Sequence, residues 1–182
     1  MTSTGKKSGA IEQSTGFSLI ELLIVVAIIL IIAAIAIPNL LRARIASNEA
    51  SAASAVRSIN TAEFAYNAQY PTNGYAATLA NLGGAAPCTP AVAAACLIDN
   101  VLATAVVGSS GKSGYVFAAT GLVPNGAANL SFVSAASPVD YDRSGVRDFC
   151  STEDGVIRFD AGAPASVPVN TLAACRAFLI LQ

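Results

Sequence analysis

Hydrophobic and polar positions divide the chain into segments of very different character. An unbroken apolar run occupies residues 22–37, ends at Pro38, and has one acid, Glu21, at its start. As a helix, residues 17–37 would be about 31 Å long, which is close to the thickness of the hydrocarbon core of a bilayer. A carboxylate there costs about 2.5–3.5 kcal/mol on insertion scales. Glu21 is therefore a candidate functional residue.

Apolar residues return at helical spacing after Pro38, which we expect to kink or loosen the continuing helix. The periodicity predicts an amphipathic helix over residues 39–68. The apolar face is predicted to carry Leu41, Ile45, Ala52, Val56, Ile59 and Ala62. The opposite, exposed face is predicted to carry Arg42, Arg44, Ser47, Glu49, Ser51, Ser58 and Glu63. The single apolar stripe needs a cover, which the following domain can supply.

The rest of the chain predicts loops and then strands. Turn residues at 70–75 end the helix, and residues 69–114 are rich in Ala, Gly and Ser, with short helical pieces within 75–82 and 97–107. Strand patterns follow, and the last two form a hairpin around the turn at 153–155. The strand segments are 115–119, 130–134, 146–150 and 156–159. We therefore predict an α+β fold: a long N-terminal helix packed on one apolar face of a small antiparallel sheet of about four strands.

Composition narrows the function classes. The 182 residues include 10 Lys+Arg and 11 Asp+Glu, so there is no broad basic face, and we expect no direct binding of DNA. The sequence contains no histidine, which removes the commonest general base and the Ser-His and Cys-His nucleophile pairs. No other nucleophile or phosphate-loop motif is present, so we do not expect an enzyme.

The four cysteines all follow the apolar run, which indicates disulfides in an oxidising compartment. Four cysteines allow three pairings, and the most local one joins Cys88 to Cys96 and Cys150 to Cys175. The second bond would close a loop of about 25 residues, worth roughly 3–4 kcal/mol in the chain-entropy model. Zinc is the competing interpretation, but none of the spacings forms a CxxC pair.

The N-terminal segment before the apolar run is polar and contains Lys6 and Lys7. These lysines favour a cytoplasmic N-terminus, and the cysteines place the C-terminal part outside the cytoplasm. A secretory signal peptide would be cut after the run, where Ala33, Ala34 and Ala36 offer small residues. The polar-to-apolar junction, however, falls earlier, between Gly16 and Phe17. A glycine just before an apolar block is open to a protease at the membrane face.

Residues 16–29, GFSLIELLIVVAII, followed by IAIP at 35–38, resemble the N-terminal signature of type IV prepilins and type II secretion pseudopilins. The resemblance implies a pilin fold, cleavage between Gly16 and Phe17 by a prepilin peptidase, and N-methylation of Phe17. It also implies that Glu21 pairs with the Phe17 amine of a neighbouring subunit. An ion pair in a dry helix bundle forms only at one axial offset, so Glu21 would specify the stagger between subunits.

The resemblance implies a structural filament subunit that has no cofactor and polymerises with its own copies. Its implied partners are the peptidase, an assembly ATPase, an inner-membrane platform and, before assembly, membrane lipid. The chain is thereby divided into a leader (1–16), a membrane and assembly segment (17–38), an amphipathic helix half (39–68), a loop region (69–114) and a disulfide-closed sheet region (115–182). It would start as a single-pass inner-membrane protein and end in a cell-surface pilus or a periplasmic pseudopilus.

Three roles stay open within these limits. A pilus subunit would serve adhesion, twitching motility or DNA uptake, and the Cys150–Cys175 tail resembles that of pilins. A subunit of a type II secretion pseudopilus is the alternative, because Tyr70-Pro71-Thr72 and the sheet region resemble the major pseudopilin. A membrane-anchored binding module is the third role.

One segment partly matches a calcium loop. Oxygen-bearing side chains alternate in DYDRSG, at Asp140, Asp142 and Ser144, and Asp148 follows. The position of the closing glutamate is Ser151, and Arg143 reduces the negative charge. The interpretation that we favour is a polar turn with Asp–Arg pairs, so no metal is favoured and calcium is the secondary candidate at these residues.

Overall fold

The computed structural model describes residues 17–126 and 128–181 and divides the chain into two compact units, Met1–Asn39 and Leu40–Gln182. One long helix, α1 (Leu19–Gln69), begins in the first unit and ends in the second. The shorter helices are α2 (Leu79–Leu82), α3 (Asn100–Ala103) and α4 (Leu172–Arg176). The strands are β1 (Tyr115–Asn125), β2 (Ala128–Pro138), β3 (Asp148–Thr152), β4 (Arg158–Asp160) and β5 (Leu179–Ile180).

Within the second unit, α1 buries one face in the main core. Ala52, Val56 and Ile59 are completely buried there, at the helical spacing predicted from the sequence. Several buried residues on this face are alanines, whose small side chains let the helix backbone approach its neighbours closely. The other side of this core is formed by Leu79, Leu82, Leu102, Tyr115, Phe117 and Phe149. Residues 83–114 thus contribute buried side chains to the core as well as loops.

The α+β prediction is confirmed: the long helix packs on an antiparallel sheet, consistent with a pilin fold. The sheet has five strands in chain order, β1-β2-β3-β4-β5, rather than about four. In the additional pair, β5 joins β4 through Arg158↔Ile180 and Phe159↔Leu179. A two-residue strand is too short to show the alternating pattern by which strands are predicted. Only the tertiary structure could therefore place it.

The sheet is covered on both faces, whereas the sequence predicted one apolar face. All five residues of β3 are buried, as are the last eight of β2, so their side chains are buried on both faces. A second core of Val133, Ala135, Cys150 and Cys175 packs with Leu122, Val169, Leu172 and Phe178. The Ala- and Pro-rich C-terminal tail supplies this cover because the bond from Cys150 to Cys175 attaches it to β3.

Aromatic residues seal the C-terminal end of α1. Phe64 lies edge-on to Phe132 of β2 with 5.8 Å between ring centroids, and Tyr75 contacts the same ring at 4.8 Å. The helix ends at Gln69, and Asn73 and Gly74 then donate backbone hydrogen bonds to the Tyr70 carbonyl. These contacts fix where the chain leaves the helix.

Three polar side chains of α1 point into the protein. Asn60 is buried, donates from Nδ2 to Ser151 Oγ at 2.7 Å, and accepts from Ser134 Oγ. It therefore links α1 to both β2 and β3. Glu49 and Glu63 are also buried, so the prediction that they lie on the exposed face is wrong. Each carboxylate accepts a backbone hydrogen bond from a segment beyond the helix, which helical periodicity alone does not show.

Glu63 is the most buried of these acids. It is 0% exposed, and its Oε2 accepts from the Ala76 N–H at 2.8 Å, while Oε1 has no partner among the described residues. Burial raises the pKa of Glu63 to about 8, and the bond from Ala76 only partly opposes this shift. The folded state therefore favours the protonated carboxyl group.

We expect Glu63→Gln to flatten the dependence of stability on pH. Because the folded pKa is raised, the wild-type contribution is fully present below pH ~4.5 and is lost as pH rises to about 8. Glutamine keeps the acceptor for Ala76 and carries no charge. Urea unfolding in detergent between pH 5 and 9 should show the variant more stable by about 1–4 kcal/mol at the alkaline end.

Asp148, whose pKa burial also raises, is present in both proteins, so the difference between them isolates Glu63. Parallel pH profiles for the two proteins would contradict this assignment.

Candidate functional site

The described chain begins with an exposed aromatic residue and a capped helix end. The Phe17 side chain is 74% exposed. Ser18 comes directly before α1, and its N–H donates to Glu21 Oε2 at 3.0 Å. Serine followed three positions later by glutamate is the pattern of a capping box, which contains two hydrogen bonds. The bond seen here is the one in which the glutamate carboxylate accepts from the backbone N–H of the capping serine. Glu21 thus stabilises the start of its own helix.

Glu21 is also suited to a further ionic contact. It is the acidic residue in the first turn of α1, where the helix dipole favours a negative charge. The cap occupies one of its oxygens, and an ionised carboxylate offers about four acceptor positions. The side chain is exposed in the described chain. A cation from another molecule can therefore reach it without breaking the cap.

The segment after Glu21 exposes apolar side chains all along its length. Helix α1 contains an 18-residue window with a mean hydropathy of 3.3, of which 0% is buried. By length and composition this helix can cross a membrane. The exposed set includes Leu22, Leu23, Ile24, Ile28, Ile29, Leu30, Ile31, Ile32, Ile35 and Ile37. Such a surface is stable only in lipid or against another apolar surface.

Pro38 lies inside α1, one residue before the end of the first unit. Because proline has no N–H, the carbonyl four residues earlier, at Ala34, lacks its helical donor. Helix α1 nevertheless continues on both sides of Pro38. Gly16, the predicted residue on the other side of the cleavage junction, lies outside the described residues.

Residues 13–37 match the family model of the prokaryotic N-terminal methylation motif. The chain carries a prepilin-type N-terminus. This match supports the type IV prepilin and pseudopilin family, as the resemblance predicted. It covers the leader junction and the apolar segment, so it does not extend into the sheet region. No curated protein and no solved structure matches the chain at a significant level.

Both disulfides of the chain join the cysteines nearest in sequence. Cys88 is bonded to Cys96 with their Cα atoms 6.1 Å apart, and Cys150 to Cys175 with Cα atoms 5.7 Å apart. Both distances lie in the usual range. The first bond lies within the loop region, whereas the second joins β3 to α4 and so holds the C-terminal tail.

The residues of the predicted calcium site are engaged in different contacts. In the loop after β2, Ser144 Oγ accepts from the Asp140 N–H at 3.0 Å, and Arg143 pairs with Asp140 at 3.4 Å. Asp142 is exposed at φ 64°.

Asp148 is buried in β3 and accepts from Ser166 Oγ at 3.0 Å. Within the described ranges, no three His, Cys, Asp or Glu side chains come together in a metal-binding group. Calcium binding at these residues stays an untested secondary hypothesis.

Gly145, the glycine of that motif, has a packing role. A Cβ atom at this position would overlap the hydroxyl of Tyr115. Tyr115 is completely buried and donates to the Arg147 carbonyl at 3.0 Å, and burial raises the pKa of its hydroxyl. Only a residue without a side chain leaves room for this ring.

Sequence reasoning missed two features of the site. The Ser18–Glu21 spacing was readable as a capping box, and this signal would have predicted the observed hydrogen bond. The buried position of Glu49 had no such signal. Its Oε1 accepts from the Val146 N–H at 3.1 Å, and its Oε2 lies 3.5 Å from Arg147 Nε. Both partners are almost a hundred residues away.

We expect Gly145→Ala to destabilise the protein by about 1–3 kcal/mol, because the added methyl group overpacks Tyr115. The same change in a Tyr115→Leu background should cost less, since the hydroxyl and the two ring carbons nearest the added methyl group are gone. Denaturant unfolding of the four proteins in this cycle measures the coupling. Equal costs in both backgrounds would rule out the collision.

Proposed function

We propose that this chain is the prepilin of a type IV pilus, a structural subunit cleaved after Gly16, N-methylated at Phe17 and polymerised through α1. The observation that carries the proposal is the methylation motif at residues 13–37 on a helix whose apolar window is 0% buried. A leader junction, an acid in the first turn and an uncovered apolar surface occur together here.

The apolar surface supports two successive environments. Each Leu, Ile or Val side chain gains about 1.5–3 kcal/mol on full burial. Lipid supplies this cover while the chain is anchored in the inner membrane, and helices of other copies supply it in the filament. Transfer between the two needs a peptidase to release the leader and an ATPase with a membrane platform to extract the chain. The role is structural, and no catalytic residue enters it.

Glu21 supports a specific register in the filament. Cleavage would create a positive charge at Phe17, four residues before Glu21 and two residues before α1 begins. The carboxylate already accepts from Ser18 and has acceptor positions left for the Phe17 amine of a neighbour. An ion pair between apolar helices fixes one axial offset, because other offsets leave charges without partners.

The disulfide-closed C-terminal tail favours a pilus over a pseudopilus. The bond from Cys150 to Cys175 closes the C-terminal region over β3, and this tail resembles the disulfide-closed tail of pilins. A type II secretion pseudopilus is the second candidate, favoured by the Tyr70-Pro71-Thr72 segment after the long helix and by the sheet region.

Deletion of the gene separates these two machines. Loss of surface filaments seen by electron microscopy supports the pilus. Intact filaments together with blocked export of secreted proteins would support the pseudopilus.

The mature chain tests the class itself. Mass spectrometry of protein isolated from membranes or filaments should find an N-terminus at methylated Phe17 and both disulfides. A chain that still begins at Met1 would indicate an anchored binding module instead.

Two substitutions at Glu21 separate the effect of its charge from its role in capping the helix. Glutamine can still accept from the Ser18 N–H but carries no charge, whereas alanine loses both functions. We expect Glu21→Gln and Glu21→Ala both to insert and be cleaved, and to lower filament yield by at least about tenfold, because an unpaired buried charge costs about 3–5 kcal/mol.

Sheared filaments and cell-bound subunit, quantified by immunoblot, give the measurement. Glu153→Gln is the matched control: it removes the charge of a carboxylate in the second unit that pairs with Arg176, keeps an acceptor for Ser131 Oγ, and should assemble normally. Normal assembly of Glu21→Gln beside failure of Glu21→Ala would assign Glu21 to helix capping alone.

A further inference from the structure

A polar cavity of about 350 Å³ opens in the second unit. Three elements surround it: α1, the turn before β1 and the loop after β2. The lining residues are Arg44, Asn48, Ser113, Gly114, Asp140, Arg143 and Ser144. Neither the methylation motif nor the apolar helix accounts for this concentration of hydrogen-bond donors.

The walls of the cavity are held in place by contacts that leave its donors free. Asn48 Nδ2 donates to the Ser144 carbonyl at 2.9 Å, which joins α1 to the loop after β2. A Cβ on Gly114 would lie 2.7 Å from Ser144 Cβ and 3.2 Å from Asn48 Nδ2. Glycine therefore lets the third wall approach the other two. The amide of Asn48 retains a second hydrogen for a ligand.

The third wall is a tight turn with an uncommon backbone. Lys112 and Tyr115 exchange backbone hydrogen bonds of 2.8 and 3.0 Å, and the two residues between them have φ values of 52° and 74°. This is the geometry of a type I′ turn, in which a left-handed serine costs about 1–2 kcal/mol. Ser113 Oγ accepts from Ser51 Oγ at 3.1 Å, so its own hydrogen is available to a ligand.

The charges in the cavity favour an anion. Arg44 is exposed and has no carboxylate within ion-pair distance in the described part of the chain. Arg143 is 79% exposed and makes one long contact of 3.4 Å to Asp140, so most of its N–H groups are free. Two guanidinium groups and one carboxylate leave the lining with one excess positive charge. Guanidinium forks combined with hydroxyl and amide donors match the oxygens of a phosphate group.

We propose that this cavity binds a phosphate group, supplied by the headgroup of an anionic phospholipid beside the membrane segment. Seven residues link Ile37, the last of the apolar run, to Arg44, and they span at most about 25 Å in any conformation. The headgroup layer is thus within reach of the cavity. Tethering raises the effective concentration of headgroups, so an open site with weak intrinsic affinity is still occupied.

The proposal that a lipid supplies the phosphate group rests on the proposed function, in which the chain is anchored in a membrane. The ability of the cavity to bind a phosphate group does not depend on that function. Occupation would hold the second unit against the membrane before assembly. Extraction of the chain from the bilayer would remove the ligand.

The test uses the full chain in nanodiscs, with the side-chain amide signal of Asn48, which lines the cavity and is present in every variant, assigned by NMR. In phosphatidylcholine discs, soluble glycerol phosphate should shift this signal with a saturable curve. In discs containing phosphatidylglycerol, the signal should be shifted before any soluble ligand is added. Arg44→Gln should weaken glycerol phosphate binding by about tenfold, as expected for a lost charge-assisted contact. Arg57→Gln is the matched control, an exposed arginine on α1 that lines a different cavity.

Each outcome decides a separate point. A shift with soluble ligand alone would overturn the lipid source and leave a site for free phosphate. No shift in either arm would overturn the site. Equal weakening by Arg44→Gln and Arg57→Gln would reduce it to non-specific attraction. Failure of the chain to enter nanodiscs would contradict the membrane anchor of the proposed function, and glycerol phosphate titrated into the full chain in detergent would then test the cavity.

Discussion

Apolar side chains around the whole circumference of residues 22–37 lie without protein cover in the described chain. Their exposed area is too large for water, since each buried Leu or Ile is worth about 1.5–3 kcal/mol. The rest of the molecule is arranged to permit this. The second unit has its own cores and disulfides, and its folding does not depend on burying the apolar segment. That segment is left for lipid or for another apolar surface.

The second unit fixes its part of α1 by shape and by polar contacts together. Alanine-rich packing brings the helix close to the sheet but defines its axial position weakly, because small side chains interlock little. Asn60 defines the axial position of the helix more sharply, because its side-chain amide hydrogen-bonds to Ser134 and Ser151 on two different strands. Glu49 and Glu63 add contacts to Val146 and Ala76. A displaced helix would leave these buried groups without partners.

Much of the fold was predictable because its signals are local. The apolar run, the amphipathic stripe after Pro38, the turn at residues 70–74 and the longer strands each follow from periodicity or turn chemistry within a short window. The fifth strand and the second core were not predictable. Strand β5 has two residues, and the cover over Cys150 comes from a tail whose composition suggests an irregular loop. The second core includes a bond between positions 25 residues apart, and β5 is placed by its pairing with β4.

The sequence by itself determined the membrane-length apolar segment, the N-terminal methylation motif and the acid at position 21, because these depend on residue order alone. The spacing of Ser18 and Glu21 also predicts the helix cap, in addition to the intermolecular role of Glu21 that the resemblance implies. Only the tertiary structure decided which acids of α1 are buried and which donors meet in one cavity. Arg44, Ser113 and Arg143 are distant in sequence, and their convergence depends on how a helix, a turn and a loop pack. Helical periodicity describes one face of α1, but it carries no information about the segments that lie against it.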